Sequence, residues 1–257
     1  MTTSLLRAEG LAIHFGGVKA VNGVSFDVQA GEVFTLIGPN GAGKTTLFNL
    51  ISRLYRPTAG RLHFAGQDIT ALPSHRVAAL GIARTFQNIE LFEHASVLQN
   101  LLIARHAHRA SSLWQELLYL PVVKRTELQF RRDVEEVIDF LGLQLHRHSI
   151  VAGLPYGVRK VVELARALCI KPKLLLLDEP SSGLNVEETD EMAFWITDIN
   201  KLLGITVLMV EHDMSLVGRV SHRVLALNLG EMLAEGSVEE VQRHPAVIEA
   251  YLGKAKA

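Results

Sequence analysis

The chain has 257 residues, of which 48% are hydrophobic and 21% are charged, and this balance excludes a disordered, collagen-like or coiled-coil chain. Its 26 basic and 27 acidic side chains give a net charge of −1, so we expect no nucleic-acid partner. The single cysteine, Cys169, excludes an internal disulfide and indicates a reducing compartment.

The first third of the chain predicts strands around one helix. Residues 5–15, 24–28 and 33–37 have the composition of strands, with glycine-containing turns between them. A helix is predicted over 43–54 and a further strand over 61–64. This part therefore predicts a sheet that packs on a single helix.

From Pro73 the composition becomes rich in Leu, Ala, Arg, Glu and His, which predicts a helical lobe with helices over 96–107 and 126–141. No window of about 20 largely apolar residues predicts a membrane span. The segment 1–10 contains Arg7 and Glu9 and does not have the pattern of a signal peptide. We expect a chain that is soluble by itself and is held at a membrane only by other subunits.

The last part returns to alternating strands and helices. Buried strands are predicted over 173–177 and 205–210, with a helix over 187–203 between them and a hairpin over 224–235. Buried strands that alternate with helices favour a mainly parallel sheet. The fold class is therefore α/β, with a helical lobe inserted into a sheet core.

A glycine-rich segment at residues 38–46 matches the pattern G-x-x-x-x-G-K-[ST] between a predicted strand and a predicted helix. Backbone N–H groups of such a loop surround phosphate oxygens, and the helix N-terminus adds a partial positive charge. Lys44 would reach the β- and γ-phosphates, and the Thr45 hydroxyl would bind Mg²⁺. A glycine-rich turn without a ligand is the alternative, and the bare pattern occurs by chance in roughly one chain in a hundred. The predicted nucleotide-binding residues of the loop are Gly38, Pro39, Asn40, Gly41, Ala42, Gly43, Lys44, Thr45 and Thr46.

A second motif consists of four leucines that end in two acids, Asp178 and Glu179. A buried strand should become polar at the carboxyl edge of its sheet, where ligands bind in open α/β folds. Asp178 would hold Mg²⁺, and Glu179 would polarise the water that attacks the γ-phosphate. The alternative is an acidic turn after a strand.

The two motifs, with others in the same order, resemble the ATP-binding cassette of ABC transporters over essentially the whole chain. The resemblance implies an ABC-type P-loop NTPase core with a mixed sheet, an antiparallel β subdomain and an inserted helical lobe. We place the core at 1–86 and 169–257 and the lobe at about 87–168. The implied activity is ATP hydrolysis coupled to transport, with ATP and Mg²⁺ as ligands.

The resemblance also implies roles for three further residues. Phe15 matches the aromatic residue that stacks on adenine, and its alternative is a core aromatic at a strand end. Gln87 matches the glutamine that touches Mg²⁺ or the attacking water and senses the membrane partner. His212 matches the histidine that contacts the γ-phosphate. The implied catalytic set is thus Glu179, His212 and Gln87, and the implied metal ligands are Thr45, Gln87 and Asp178.

The signature motif is where the chain departs from the family. In the family this segment opens a helix that faces the γ-phosphate bound by the partner cassette. Pro155 has neither a hydroxyl nor a backbone N–H, and Val158 cannot donate a hydrogen bond from its side chain. Asn185 stands where many cassettes carry Asp. The signature residues of this chain, which would act in trans, are Leu154, Pro155, Tyr156, Gly157 and Val158.

One branch of the family is similar to this chain at four places. These are residues 84–88, residues 97–102, the ending 247–253 and the tyrosine at the third signature position (Tyr156). That branch comprises the ATP-binding subunits of importers for branched-chain amino acids. It implies a second ABC ATPase subunit, which we expect to be a paralogue, and two integral membrane permease subunits. A periplasmic solute-binding protein would take part indirectly. The chain would then lie on the cytoplasmic side of the inner membrane, attached through the permease.

Three alternatives stay open at this point. An exporter ATPase of the lipopolysaccharide type has a similar cassette. A soluble cassette protein of translation or DNA repair typically carries two cassettes or a long coiled coil. A degenerate cassette would bind ATP without hydrolysis, and Glu179 and His212 speak against it.

Overall fold

The computed structural model describes residues 4–85, 89–106 and 121–252. The chain forms two compact units, the first made of Met1–Arg84 and Lys173–Ala257 and the second of Thr85–Pro172. The sequence-based boundaries, 86/87 and 168/169, differ from these by two and four residues. The helix-rich composition that begins at Pro73 therefore starts inside the first unit.

The described part of the first unit contains two sheets. The four-stranded sheet has the order β2-β1-β4-β5, and its paired strands are antiparallel. The six-stranded sheet has the order β10-β9-β3-β8-β7-β6, in which only the β9–β10 pair is antiparallel. The strands are β1 (Ser4–Phe15), β2 (Val18–Gln29), β3 (Val33–Ile37), β4 (Ala59–Phe64), β5 (Gln67–Asp68), β6 (Ile82–Arg84), β7 (Leu174–Asp178), β8 (Thr206–Val210), β9 (Arg223–Asn228) and β10 (Glu231–Gly236).

The described residues form nine α-helices. In chain order they are α1 (Lys44–Ile51), α2 (Ser74–Ala79), α3 (Val97–His106), α4 (Pro121–Phe140), α5 (Tyr156–Leu168), α6 (Val186–Lys201), α7 (Met214–Val220), α8 (Val238–Arg243) and α9 (Pro245–Leu252). No helix within the described ranges combines the length and the apolarity that a membrane crossing requires.

Three parallel strands of the six-stranded sheet, β3, β7 and β8, are buried along their whole length. Their apolar side chains stabilise the sheet by leaving water on both faces. In the pairing register Val210 lies opposite Leu36 on one side and Asp178 on the other. Because parallel strands share a direction, the residues that follow all three strands meet at one edge of the sheet.

The second unit contains α3, α4 and α5 around its own core. The buried Asp133 of α4 accepts hydrogen bonds from Arg105 of α3 (2.6 Å) and from Lys171 (2.7 Å). Burial raises the pKa of Asp133, but the hydrogen bonds and the two cations outweigh it and hold this pKa below its usual range. The carboxylate therefore stays charged and joins α3, α4 and the end of this unit.

Candidate functional site

The phosphate loop connects the end of β3 to the start of α1. Its glycines Gly38, Gly41 and Gly43 have backbone φ values of 152°, 79° and 100°, which residues other than glycine rarely adopt. A Cβ atom on Gly38 would lie 2.2 Å from the Leu227 oxygen, and one on Gly43 would lie 2.4 Å from the Ala20 oxygen. The two glycines are therefore required by packing as well as by backbone conformation.

Lys44, the first residue of α1, is 8% exposed. Its ammonium group donates hydrogen bonds to the carbonyl oxygens of Gly38 (2.6 Å) and Pro39 (3.0 Å), so the side chain turns back along the loop. Burial lowers the pKa of Lys44, and the negative charges of Glu179 and Asp178 oppose this effect. The loop thus contains a desolvated cation that two carboxylates influence.

The N-terminus of α1 carries no acidic side chain in its first turn, and Gly43 caps it without a side-chain hydrogen bond. The positive end of the helix dipole is therefore not compensated by a local carboxylate. Thr45 is exposed in this first turn, and Thr46 is partly exposed. The loop thus has three features that fit the phosphates of a nucleotide. They are a glycine-rich backbone, a helix N-terminus without an acidic side chain in its first turn, and a buried lysine.

Asp178 and Glu179 follow β7 at the same edge of the sheet. Asp178 is buried and pairs with Arg84, whose Nη2 lies 2.7 Å from Asp178 Oδ2. Glu179 has a φ of 49°, a left-handed conformation that is uncommon for a residue with a side chain, and its N–H donates to Val210 O. The two adjacent carboxylates differ in exposure, since Asp178 is buried and Glu179 is partly exposed.

The loop that follows β8 lies beside the loop that follows β7. Glu211 is fully buried, and its carboxylate accepts hydrogen bonds from the N–H groups of Ser181 (2.9 Å), His212 (2.8 Å) and Asp213 (3.1 Å). The exposed His212 has its Nδ1 atom 3.9 Å from Glu179 Oε2. Glu211 therefore connects the loop after β7 to the loop after β8 and brings His212 close to Glu179.

An aromatic pair stands at the end of β1. Phe15 is half-exposed, and its ring centroid lies 5.4 Å from that of Tyr55 at an interplanar angle of 72°. The exposed face of Phe15 argues against the alternative of a core aromatic. An edge-to-face neighbour fixes the orientation of a ring, so Tyr55 supports Phe15 as a flat platform.

The signature segment belongs to the second unit. Leu154 is buried, Pro155 precedes α5 as its N-cap without a side-chain hydrogen bond, and Tyr156 is exposed. The buried Gly157 and the partly exposed Val158 lie in the first turn of α5. The helix N-terminus that the resemblance implies is present, while its hydroxyl donor is replaced by Pro155.

The sequence-predicted residues fall into three groups. The first unit brings together the phosphate loop, Asp178, Glu179 and His212 at one sheet edge, with Phe15 at the end of β1. The signature segment lies in the other unit, and Gln87 lies outside the described residues. Sequence reasoning assigned no role to Arg84, Glu211 or Tyr55. Arg84 lies within the segment 84–88 and Glu211 directly precedes His212, both of which the sequence singled out, but no spacing rule reveals the long-range contacts of these two residues.

Comparisons with known proteins agree with this arrangement. Residues 21–182 match the family described as ABC transporter, and residues 231–257 match the family described as branched-chain amino acid ATP-binding cassette transporter. The chain is 38% identical, over 99% of its length, to the high-affinity branched-chain amino acid transport ATP-binding protein BraF of Pseudomonas aeruginosa. The corresponding protein LivG of Escherichia coli K12 is also 38% identical over 99% of the chain, and both relatives are covered completely.

One further relative and one solved structure are also similar to the chain. The methionine import ATP-binding protein MetN of Caulobacter vibrioides is 36% identical over 90% of the chain, which covers 66% of MetN. The ADP conformation of MJ1267, an ATP-binding cassette of an ABC transporter, has a TM-score of 0.86 and 32% identity. That comparison covers 98% of this chain and all of MJ1267.

Proposed function

The chain belongs to the ATP-binding subunits of ABC transporters, and from that premise we propose that it hydrolyses ATP to drive the import of branched-chain amino acids. The solute class is supported by the full-length similarity to BraF and LivG. The match of residues 231–257 to the branched-chain amino acid family favours this branch over a lipopolysaccharide exporter. The intact Lys44, Asp178 and Glu179 favour an active ATPase over a degenerate cassette.

The observation that carries the proposal is the meeting of a buried cation and two carboxylates at one sheet edge. Lys44 and the N–H groups of the loop would bind the β- and γ-phosphates. Glu179 would orient and polarise the attacking water, since its partly exposed carboxylate follows directly on the buried Asp178. His212, 3.9 Å from Glu179, would contact the γ-phosphate and complete the site from the loop after β8.

The metal site that we propose uses oxygen donors, which Mg²⁺ prefers in proteins. The Thr45 hydroxyl on α1 and the Asp178 carboxylate on β7 would hold the ion directly or through water, together with Gln87. When bound, Mg²⁺ neutralises charge that develops on the phosphates. The adenine ring would stack on Phe15, which Tyr55 supports from the side.

We propose that the chain acts in a cassette dimer. Each ATP would be held by the phosphate loop of one cassette and by the signature helix of the other. This chain would offer Leu154, Pro155, Tyr156, Gly157 and Val158 to its partner's nucleotide. Because Pro155 removes a hydroxyl donor, the partner that best suits this chain is a paralogue with a regular signature.

The proposed membrane partners are two permease subunits, with a periplasmic solute-binding protein acting through them. An open groove of the second unit supports this proposal. Its lining includes Phe92 and Ile103, which are about half exposed, and also His94, Gln99 and Leu102. The groove lies in the segment that follows Gln87, and it would receive a cytoplasmic segment of the permease. The chain would thus be peripheral to the cytoplasmic face of the inner membrane.

The proposal is tested by co-purifying the chain with its permease subunits and reconstituting them in vesicles. Leucine, isoleucine and valine, presented with the binding protein, should each stimulate ATP hydrolysis and be taken up. Methionine, the solute class in the name of a more distant relative, is the matched control. Uptake of methionine in preference to leucine would overturn the solute assignment, and hydrolysis without any solute uptake would overturn the transport role.

A further inference from the structure

Arg84 occupies the centre of a buried network that joins three elements of the first unit. The side chains of Arg84 and Asp178 are 8% and 3% exposed, and Arg84 Nη2 lies 2.7 Å from Asp178 Oδ2. The other terminal nitrogen, Nη1, donates to Asn49 Oδ1 at 2.7 Å and to Ser52 Oγ at 2.9 Å. One guanidinium at the end of β6 therefore connects the end of β7 to helix α1.

The α1 partners of Arg84 lie on the helix face that carries Thr45. Asn49 follows Thr45 by four residues, which places the two side chains one helical turn apart on the same face. Asn49 is therefore the neighbour, on that face, of one proposed Mg²⁺ ligand, while Asp178 is itself another. The two donors lie on separate elements, and Arg84 fixes one element relative to the other.

The chemistry of the contact requires arginine. A planar guanidinium with donors in a rigid fork can bind a carboxylate on one nitrogen and a helix on the other. Lysine keeps the positive charge but has a single terminal nitrogen on a flexible stem, so it cannot hold both partners in one plane. The contact holds Asp178 Oδ2 at one position relative to β6.

We propose that Arg84 is a positioning residue of the Mg²⁺ site, which holds Asp178 and the Thr45 face of α1 at the separation that the ion needs. This inference rests on the proposed function. Partners of metal ligands typically change metal affinity by roughly 10- to 100-fold when they are removed. Arg84 is such a partner for Asp178, and its role is geometric, since its positive charge by itself opposes a second cation.

A role through charge and a role through positioning predict different changes in Mg²⁺ affinity when Arg84 is replaced, so the direction of the change tests the proposal. If Arg84 acted only through charge, Arg84→Met would tighten Mg²⁺ binding and Arg84→Lys would leave it unchanged. If Arg84 positions the ligands, both variants should weaken Mg²⁺ binding. A double variant, Asn49→Ala with Ser52→Ala, keeps the ion pair to Asp178 and the stacking of Arg84 on Phe48 and removes only the two hydrogen bonds to the α1 face, so it should weaken Mg²⁺ binding as well.

The experiment measures binding of a fluorescent ADP to the full chain, first without divalent ions and then during titration with MgCl₂. In Arg84→Lys and in the Asn49/Ser52 double variant, the apparent Mg²⁺ affinity should fall by about 10-fold, the lower end of the range for partners of metal ligands. ADP affinity without Mg²⁺ should match the wild type. Arg53→Lys, which changes another buried arginine near α1 that bonds Leu72 O, is the matched control and should behave as the wild type.

Each result has one meaning. Wild-type Mg²⁺ affinity in Arg84→Lys, or tighter Mg²⁺ binding in Arg84→Met, would overturn the positioning role and leave the proposed function intact. If the wild-type chain itself showed no effect of Mg²⁺ on ADP binding, the proposed metal site would fail and the inference with it. If Arg84→Met does not fold, as judged by circular dichroism, the double variant decides, because its ion pair is preserved.

Discussion

At the scale of single residues, Lys44 is the clearest test of nucleotide binding. Its buried ammonium group has two loop carbonyls as partners and would gain charged phosphate oxygens. A hydrogen bond to a charged group contributes about 1.5–3 kcal/mol, so Lys44→Ala should weaken nucleotide binding by roughly 10- to 100-fold. Isothermal titration with ADP and MgCl₂ measures the effect, with the exposed Lys201→Ala as control. Equal affinity in Lys44→Ala and in the wild type would contradict the role of the loop.

The residues of the phosphate loop could be predicted from sequence because their chemistry is local. Glycines at positive φ, a lysine at the helix start and a hydroxyl after it are all contained within nine consecutive positions, 38–46. Arg84 and Glu211 could not be predicted in the same way. Arg84 is 94 residues from Asp178 in the chain, and Glu211 is 30 residues from Ser181. Only the parallel alignment of β6, β7 and β8 brings these partners together.

At the scale of elements, Asn185 acts as a helix cap. Its side-chain oxygen accepts the N–H of Glu188 at 2.9 Å, and the Glu188 carboxylate accepts the N–H of Asn185 at 3.0 Å, which forms a complete capping box at the start of α6. The substitution of Asn for the Asp that many cassettes carry therefore keeps the local structure, since both side chains offer the accepting oxygen.

The cap gives a prediction about stability. Asn185→Ala should lower the free energy of unfolding by about 1 kcal/mol because the Glu188 N–H loses its side-chain acceptor. Asn185→Asp should keep the wild-type value or exceed it slightly, since a negative charge is favourable at a helix N-terminus. Urea denaturation of the three proteins measures both effects. An Asn185→Ala midpoint equal to that of the wild type would show that the box does not stabilise α6.

The elements that could be predicted from sequence are those with strong patterns. Strands β3, β7 and β8 lie within one residue of their predicted bounds, because a short run in which four of five residues are apolar and all are buried has few alternatives. Helix α2 and strand β6 were not predicted. They have six and three residues, and they lie in a segment whose composition is helical. Strand β6 belongs to the first unit through its pairing with β7, and α2 packs beside β6, and composition expresses neither contact.

At the scale of the whole molecule, the damaged signature predicts an asymmetric pair of sites. The site built on Lys44 and Glu179 would borrow a regular signature from a paralogue, whereas the partner's site would borrow Pro155 and Gly157 from this chain. Loss of one hydrogen bond to the γ-phosphate would slow the second site by roughly 10- to 100-fold if the bond acts only in the transition state. A homodimer would then have two slow sites.

The asymmetry is measured by comparing two variants of the co-purified complex. Glu179→Gln in this chain should remove most ATP turnover, while the matching change in the partner subunit should leave most of it. Pro155→Ser in this chain restores the hydroxyl and should raise the turnover that remains in Glu179→Gln. If the partner's change abolishes activity and Glu179→Gln is tolerated, the asymmetry runs in the opposite direction.

The most direct test of the central claim, that Glu179 of this chain hydrolyses the ATP that drives solute uptake, is the steady-state ATPase rate of the reconstituted transporter carrying Glu179→Gln. The exposed Glu191→Gln of α6 is the matched control. A base that acts on the attacking water contributes about 100-fold or more, so the site built on this chain should be almost inactive in Glu179→Gln. The total ATPase rate should then fall to that of the slower partner site, roughly 10- to 100-fold below the wild type. Nucleotide binding should persist and leucine uptake should fall with the ATPase rate, while the control keeps both. ATP hydrolysis at the wild-type rate in Glu179→Gln would contradict the account.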